Sequence, residues 1–129
     1  MRGIERYRTN RVESAPPTQV VLMLFQESVH RLTQAANDLS EGSSTEWRGH
    51  IHHVREIFFE LLGGLDYDAA PEMCANLQRL YQWAINELIL AGREQSADRI
   101  TNVLKVTTTL LEGWQAVSNG NAENMTSTP

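Results

Sequence analysis

The residues able to do chemistry are few and poorly grouped. Glu27-Ser28-Val29-His30 has the Glu-x-x-His spacing that puts a carboxylate and an imidazole one turn apart on a helix face. A carboxylate-bridged di-metal centre in a helical bundle needs two such pairs, plus a Glu from each of two further helices, all facing inward. The sequence holds only this one pair, so it reads as a polar face of a first helix. His50, His52 and His53 with Glu56 are denser, because His50/His53 and His52/Glu56 stand three and four apart and could clip a divalent ion. Trp47, Ile51 and Val54 occupy the core-facing stripe of that stretch, which leaves the imidazoles beside it or opposite it. A metal-binding helical bundle therefore stays an alternative reading, with Glu27, His30, His52, His53 and Glu56 as its candidate ligands. A histidine phosphotransfer bundle would place Lys and Gly shortly after its histidine, and the only lysine is Lys105. Cys74, the single cysteine, lies in Met-Cys-Ala-Asn-Leu, where a thiol acts as a small buried hydrophobe. There is no Gly-rich phosphate loop and no nucleophile elbow. No catalytic residue, metal or other cofactor is assigned, and the chain is not expected to be an enzyme.

The elements that would position any site are helical throughout. Apolar residues recur at helical spacing in four blocks separated by turn-type residues, which predicts an all-α chain. The first block opens at Pro16-Pro17-Thr18, runs through Val21, Leu24/Phe25, Ser28/Val29, Leu32, Ala35/Ala36 and Leu39, and stops at Gly42-Ser43-Ser44-Thr45. In the second, Trp47, Ile51, Val54, Phe58, Leu61 and Leu65 step alternately by four and three, a core-facing stripe. Gly63-Gly64 and Asp66-Tyr67-Asp68 end it, and Pro71-Glu72 suits the start of a third helix carrying Met73, Leu77, Leu80/Tyr81, Ala84, Leu88 and Ala91. Ser96 can cap a fourth, with Asp98 in its first turn and Ile100, Val103/Leu104, Thr107, Leu110/Leu111, Trp114 and Val117 behind it. Short links force antiparallel neighbours, so the expected architecture is an up-down-up-down four-helix bundle over residues 16–118. Residues 119–129 offer little to bury and are expected to be a disordered tail.

Charge is uneven. The net charge is −5, but Arg2, Arg6, Arg8 and Arg11 against Glu5 and Glu13 give residues 1–15 a balance of +2 and leave −7 on the rest. A basic N-terminal arm precedes an acidic body, which argues against nucleic-acid binding, where a clustered basic face is the norm. A lone cysteine, and a start without the apolar run of a secretory signal, suit a reducing cytoplasm. No stretch is apolar enough for a membrane span, so no membrane insertion is expected. Large apolar side chains exceed what one interior seam per helix requires: Phe59 and Leu62 sit beside the second stripe, and Trp83, Ile85 and Ile89/Leu90 widen the third. Some of this surface is expected to line a groove for an amphipathic partner, with the arm and its Ile4, Tyr7 and Val12 as a removable cover.

In this order and spacing the residues resemble the flagellar secretion chaperones. Tyr7…Val12-Glu13-Ser14-Ala15-Pro16-Pro17 is similar to that family's lead into its first long helix. Val21-Leu22-Met23-Leu24-Phe25 with Val29-His30-Arg31-Leu32 resembles its helix 1 signature. Leu61-Leu62-Gly63-Gly64-Leu65-Asp66, followed by Ala75-Asn76-Leu77-Gln78-Arg79-Leu80-Tyr81-Gln82-Trp83, resembles its Leu-Asp turn and the helix after it, and Leu110-Leu111-Glu112-Gly113-Trp114 its closing stretch. The likeness spans residues 7–117. The chain departs from it at Pro16, at Phe25-Gln26-Glu27, at Trp83 and at Gly113, a helix-interior glycine costing about 1 kcal/mol relative to Ala. The resemblance implies a cytosolic export chaperone that binds the disordered C-terminal segment of flagellin and prevents its premature polymerisation. It further implies delivery of that client to the cytosolic domain of the flagellar type III export gate, or, alternatively, the same task for a different secreted or regulatory client. It implies Ile57, Leu61, Leu65, Leu77, Tyr81 and Leu88 as groove-lining or groove-supporting residues, and Tyr7 and Val12, with Ile4 beside them, as the arm that covers the groove and gates docking.

Overall fold

The computed structural model describes the backbone of residues 17–127 and the side chains of residues 18–117. It contains four helices: α1 (Pro17–Glu41), α2 (Trp47–Gly63), α3 (Pro71–Glu94) and α4 (Ala97–Ser127). Each packs on its neighbours in sequence, and α1 closes the ring against α4, its most extensive partner. Among the described residues the chain is all-α, an antiparallel four-helix bundle as the four apolar blocks predict.

The helix ends follow local chemistry. α1 stops where Gly42 enters the left-handed region at φ 64° and the Ser43 N–H bonds back to the Asp38 carbonyl at 3.2 Å. α3 starts on Pro71, whose missing N–H is no loss in a first turn, with Glu72 against the positive helix end. It closes with the same device as α1, the Ser96 N–H bonding to the Ala91 carbonyl at 3.1 Å, but the left-handed position is filled by Gln95 at φ 52°. Ser96 then caps α4, its Oγ accepting the Arg99 N–H at 3.2 Å. Arg99 pins the corner by donating to Glu87 at 2.6 Å and Glu94 at 2.8 Å.

One expected boundary moves. The tail is expected to lose regular structure after residue 118, whereas α4 runs on to Ser127. Extending a helix already nucleated by packed turns adds a hydrogen bond per residue without a new nucleus, so the backbone continues past Val117. The arm, residues 1–15 with Ile4, Tyr7 and Val12, lies outside the described residues.

The core is built from the stripes. Phe25, Leu32, Ala35, Val54, Ile57, Phe58, Ala84, Leu88, Ala91, Ile100 and Val103 are fully buried. The Phe58 and Tyr81 rings meet at 5.6 Å and 58°, a tilted aromatic contact joining α2 to α3. Ser28 and Thr107 are also buried and return their hydroxyls to their own helices, to the Leu24 carbonyl at 2.9 Å and the Val103 carbonyl at 2.7 Å. Gly92 lies against α2, where an added Cβ would stand 3.5 Å from Ile51 Cδ1. Nearby, the Arg48 guanidinium lies 4.4 Å over the Trp47 ring and donates to the Gly92 carbonyl at 3.4 Å.

Candidate functional site: an apolar groove at one end of the bundle

An antiparallel bundle gathers the start of α1, the end of α2, the start of α3 and the later part of α4 at one end. There they enclose a groove of about 390 Å³. α1 supplies Val20, Val21 and Leu24, α2 supplies Glu60 and Leu61, and the 64–70 link supplies Gly64, Leu65, Asp66, Ala69 and Ala70. Met73, Cys74, Leu77 and Tyr81 come from α3 and Trp114 from α4. The floor is rigid because Tyr81 is buried against Phe58. Burial pushes the Tyr81 phenol up to about 12, with Cys74 adding to the shift, so it is neutral at physiological pH.

The wall between α2 and α3 is held by a compact turn. The Asp66 carbonyl accepts the Ala69 and Ala70 N–H groups at 3.2 and 3.3 Å and the Cys74 thiol at 3.2 Å, while Asp66 Oδ1 accepts the Ala69 N–H at 3.3 Å. Tyr67 donates to Gln78 across the same corner. The rim stays open: Met73 is 55% exposed, and Leu65, Leu77 and Trp114 are half-buried.

Of the six side chains expected at the groove, Leu61, Leu65, Leu77 and Tyr81 line it. Ile57 and Leu88 are fully buried in the core and are not among the side chains that line it. Sequence reasoning did not assign Val20, Val21, Leu24, Met73, Cys74 and Trp114 to the site. Their signal was adjacency, as at Val20-Val21 and Met73-Cys74, where one residue of each pair falls off the single core stripe. The large apolar side chains divide: Phe25, Trp47, Phe58 and Tyr81 are buried, Leu62, Leu90 and Trp114 are half-buried, and Phe59, Tyr67 and Trp83 are exposed.

The polar candidates assemble elsewhere, at the α1–α2 seam. Arg31, Glu46, Gly49, His50, His52, His53 and Glu56 surround an open pocket of about 360 Å³. Arg31 donates to Glu27 at 2.6 Å and to His50 Nδ1 at 3.3 Å, and Arg55 donates to His52 Nδ1 at 2.9 Å. His53 stands 3.8 Å from Glu27, and His52 3.7 Å from Glu56. Burial, then the Arg31 charge, holds the His53 imidazole below its ordinary pKa. Glu27, His30, His52, His53 and Glu56 do not converge on one point. Among the described residues no three His, Cys, Asp or Glu side chains form a metal-ligand group.

Comparison with known proteins decides the family. The family model described as "Flagellar protein FliS" matches residues 1–121. The chain belongs to the FliS family. It is 33% identical over 114 residues to the flagellar secretion chaperone FliS of Campylobacter jejuni subsp. jejuni serotype O:6, covering 88% of each chain. It is 29% identical to the flagellar secretion chaperone FliS of Salmonella typhimurium over 121 residues, covering 90% of each. A crystal structure of a bacterial flagellar chaperone shares the fold with a TM-score of 0.73 at 17% identity, covering 92% of this chain and 97% of that one. FliS is a chaperone family and not an enzyme family, and membership gives this chain a chaperone role in flagellar export. Among the described residues no helix is long and apolar enough to cross a membrane.

Proposed function

We propose that this FliS-family chain works in the cytoplasm, where its groove takes the disordered C-terminal segment of newly made flagellin. Holding that segment prevents premature polymerisation, and the complex then docks on the cytosolic domain of the flagellar export gate. The observation that carries the reading is an apolar groove, open at the rim and firm at the floor, in a family of flagellar secretion chaperones. Such a groove stabilises a client through apolar anchors that fold against it, burying on the order of 1,000–3,000 Å². Leu61, Leu65, Leu77 and Tyr81 contact the client, and Ile57 and Leu88 hold the floor in place. Residues 1–15 cover the groove before the client arrives. They join α1 at Pro17, one turn from Val20 and Val21 in the groove wall, and their +2 balance complements Glu60 and Asp66 at the rim.

Titration calorimetry with a peptide from the C-terminus of the same organism's flagellin tests this. A 1:1 complex that is lost in Leu77→Asp is the expected result, and no heat of binding to the unmodified chain overturns it. Removing residues 1–15 is expected to leave the helical circular-dichroism spectrum nearly unchanged while altering client affinity or gate docking. Loss of the bundle would show the arm to be structural.

A further inference from the structure

The seam between α3 and α4 is closed at one end and opens toward the other. Arg99 of α4 joins Glu87 and Glu94 of α3, so the stripe Arg99, Val103, Val106, Leu110, Gly113 and Val117, stepping alternately by four and three, is the face of α4 turned to α3. Burial falls along it: Val103 is fully buried, Val106 and Leu110 are half-buried, Gly113 is exposed and Val117 is 46% exposed. The stripe of α3 that carries Glu87 behaves alike, with Trp83 38% exposed, Leu80 half-buried and Met73 55% exposed, and with Asn76 between the last two. Met73 also lines the groove, as does Trp114, the neighbour of Gly113, so the open end of the seam runs into it. Gly113 lies inside α4, where glycine lowers stability relative to alanine. Among the described residues, a Cβ added there would meet nothing within 4 Å, so packing against them does not require the missing side chain. A local rule broken beside a binding surface is the kind of conflict that function retains.

We infer that the client leaves the groove along the open α3–α4 seam as an amphipathic helix, and that Gly113 is a specificity-determining residue where this helix crosses α4 at close range. The inference rests on the proposed client-binding role of the groove and adds the path and the chemistry of the rest of the segment. A groove of about 390 Å³ has the size of a small-molecule pocket and holds a few side chains. A client that folds as it binds buries on the order of 1,000–3,000 Å², so most of it lies on apolar surface continuous with the groove, as the seam is through Met73. Two helices approach closely only where the side chains at their crossing are small. The client helix therefore carries Gly, Ala or Ser at the crossing, with larger apolar residues three and four positions away to meet Trp83, Leu110 and Val117.

The test sets stability against binding in the full chain, with the flagellin C-terminal peptide as the probe. Gly113→Ala and Gly113→Leu both replace glycine with a good helix former and are expected to raise the thermal unfolding midpoint by about 3–5 °C. Peptide affinity is expected to run the opposite way, weakening about threefold in Gly113→Ala and about tenfold or more in Gly113→Leu as the crossing is filled. Trp83→Ala is expected to weaken the peptide about fivefold through loss of an apolar anchor. Circular dichroism checks the fold of each variant. If Leu77→Asp abolishes binding while Gly113→Leu binds the peptide as tightly as the unmodified chain, or more tightly, the groove is the client site and the path along the seam is wrong. The same holds if Gly113→Leu changes only the chain's self-association in sedimentation, which would make the seam a contact between copies. If the peptide does not bind the unmodified chain, the groove reading falls and the inference with it.

Discussion

Two concavities of similar size, about 390 and 360 Å³, are built on the same α1–α2 pair, yet their physics is opposite. At the open end of the bundle, the groove is walled by Val, Leu, Met and Trp from all four helices and offers apolar area that water solvates poorly. Along the seam, the second pocket is walled by arginine, histidine and glutamate that already bond one another. Satisfied polar side chains have little to gain from a partner, whereas half-buried leucines and an exposed methionine do. The sites richest in chemical groups are therefore not where this chain's function is expected to lie.

Several substitutions would break or sharpen that contrast. Phe58→Ala removes the ring that supports Tyr81 under the groove and is expected to cost about 3–5 kcal/mol in denaturant unfolding, because a fully buried aromatic leaves a cavity. Met73→Ser, at an exposed groove position, is expected to change stability by less than about 0.5 kcal/mol. The same variant is expected to weaken client binding about fivefold to tenfold in calorimetry, as loss of an apolar anchor does. A matching loss on replacing His50 with Ser would contradict the contrast. Gln95→Gly relieves a left-handed position far from the groove and should raise stability by about 0.5–1 kcal/mol with client affinity unchanged, separating stability from binding.

The smallest effect is a pH dependence at the polar pocket. The folded chain holds the His53 pKa below its ordinary value of 6.5, so the unfolded chain binds the proton more readily. The stability of the neutral form is full above that value and is lost as pH falls through the lower, folded pKa. His53→Gln is expected to flatten the stability profile between neutral and mildly acidic pH while leaving client binding at neutral pH unchanged. A client affinity that follows His53 would place the polar pocket within the binding surface after all.

Much of the bundle was legible in local pattern. The α2 stripe from Trp47 to Leu61 is buried as its spacing requires, Pro71 opens α3, and the Ser96 hydroxyl caps α4. The candidate site was legible in part. Leu61, Leu65, Leu77 and Tyr81 reach the groove, while Ile57 and Leu88 carry the same helical periodicity and end in the core. Periodicity reports which face of a helix a residue occupies, and that face runs without a break from packed interior to open rim. It cannot report how far along the axis a neighbouring helix stays in contact. Leu65 leaves the helix at Gly64 and lines the groove from a link, which the stripe alone does not reveal.

By itself the sequence determined the four helices, their order and antiparallel sense, and the family, because those follow from local propensity, caps, short links and residue types. Only the tertiary structure decided which apolar side chains are core and which remain to be covered. It also showed that, among the described residues, the charged side chains lining the groove are acidic and that His50, His52 and His53 have polar partners. Those properties depend on what four helix ends bring within a few ångströms of one another, a distance that spacing along one helix does not contain.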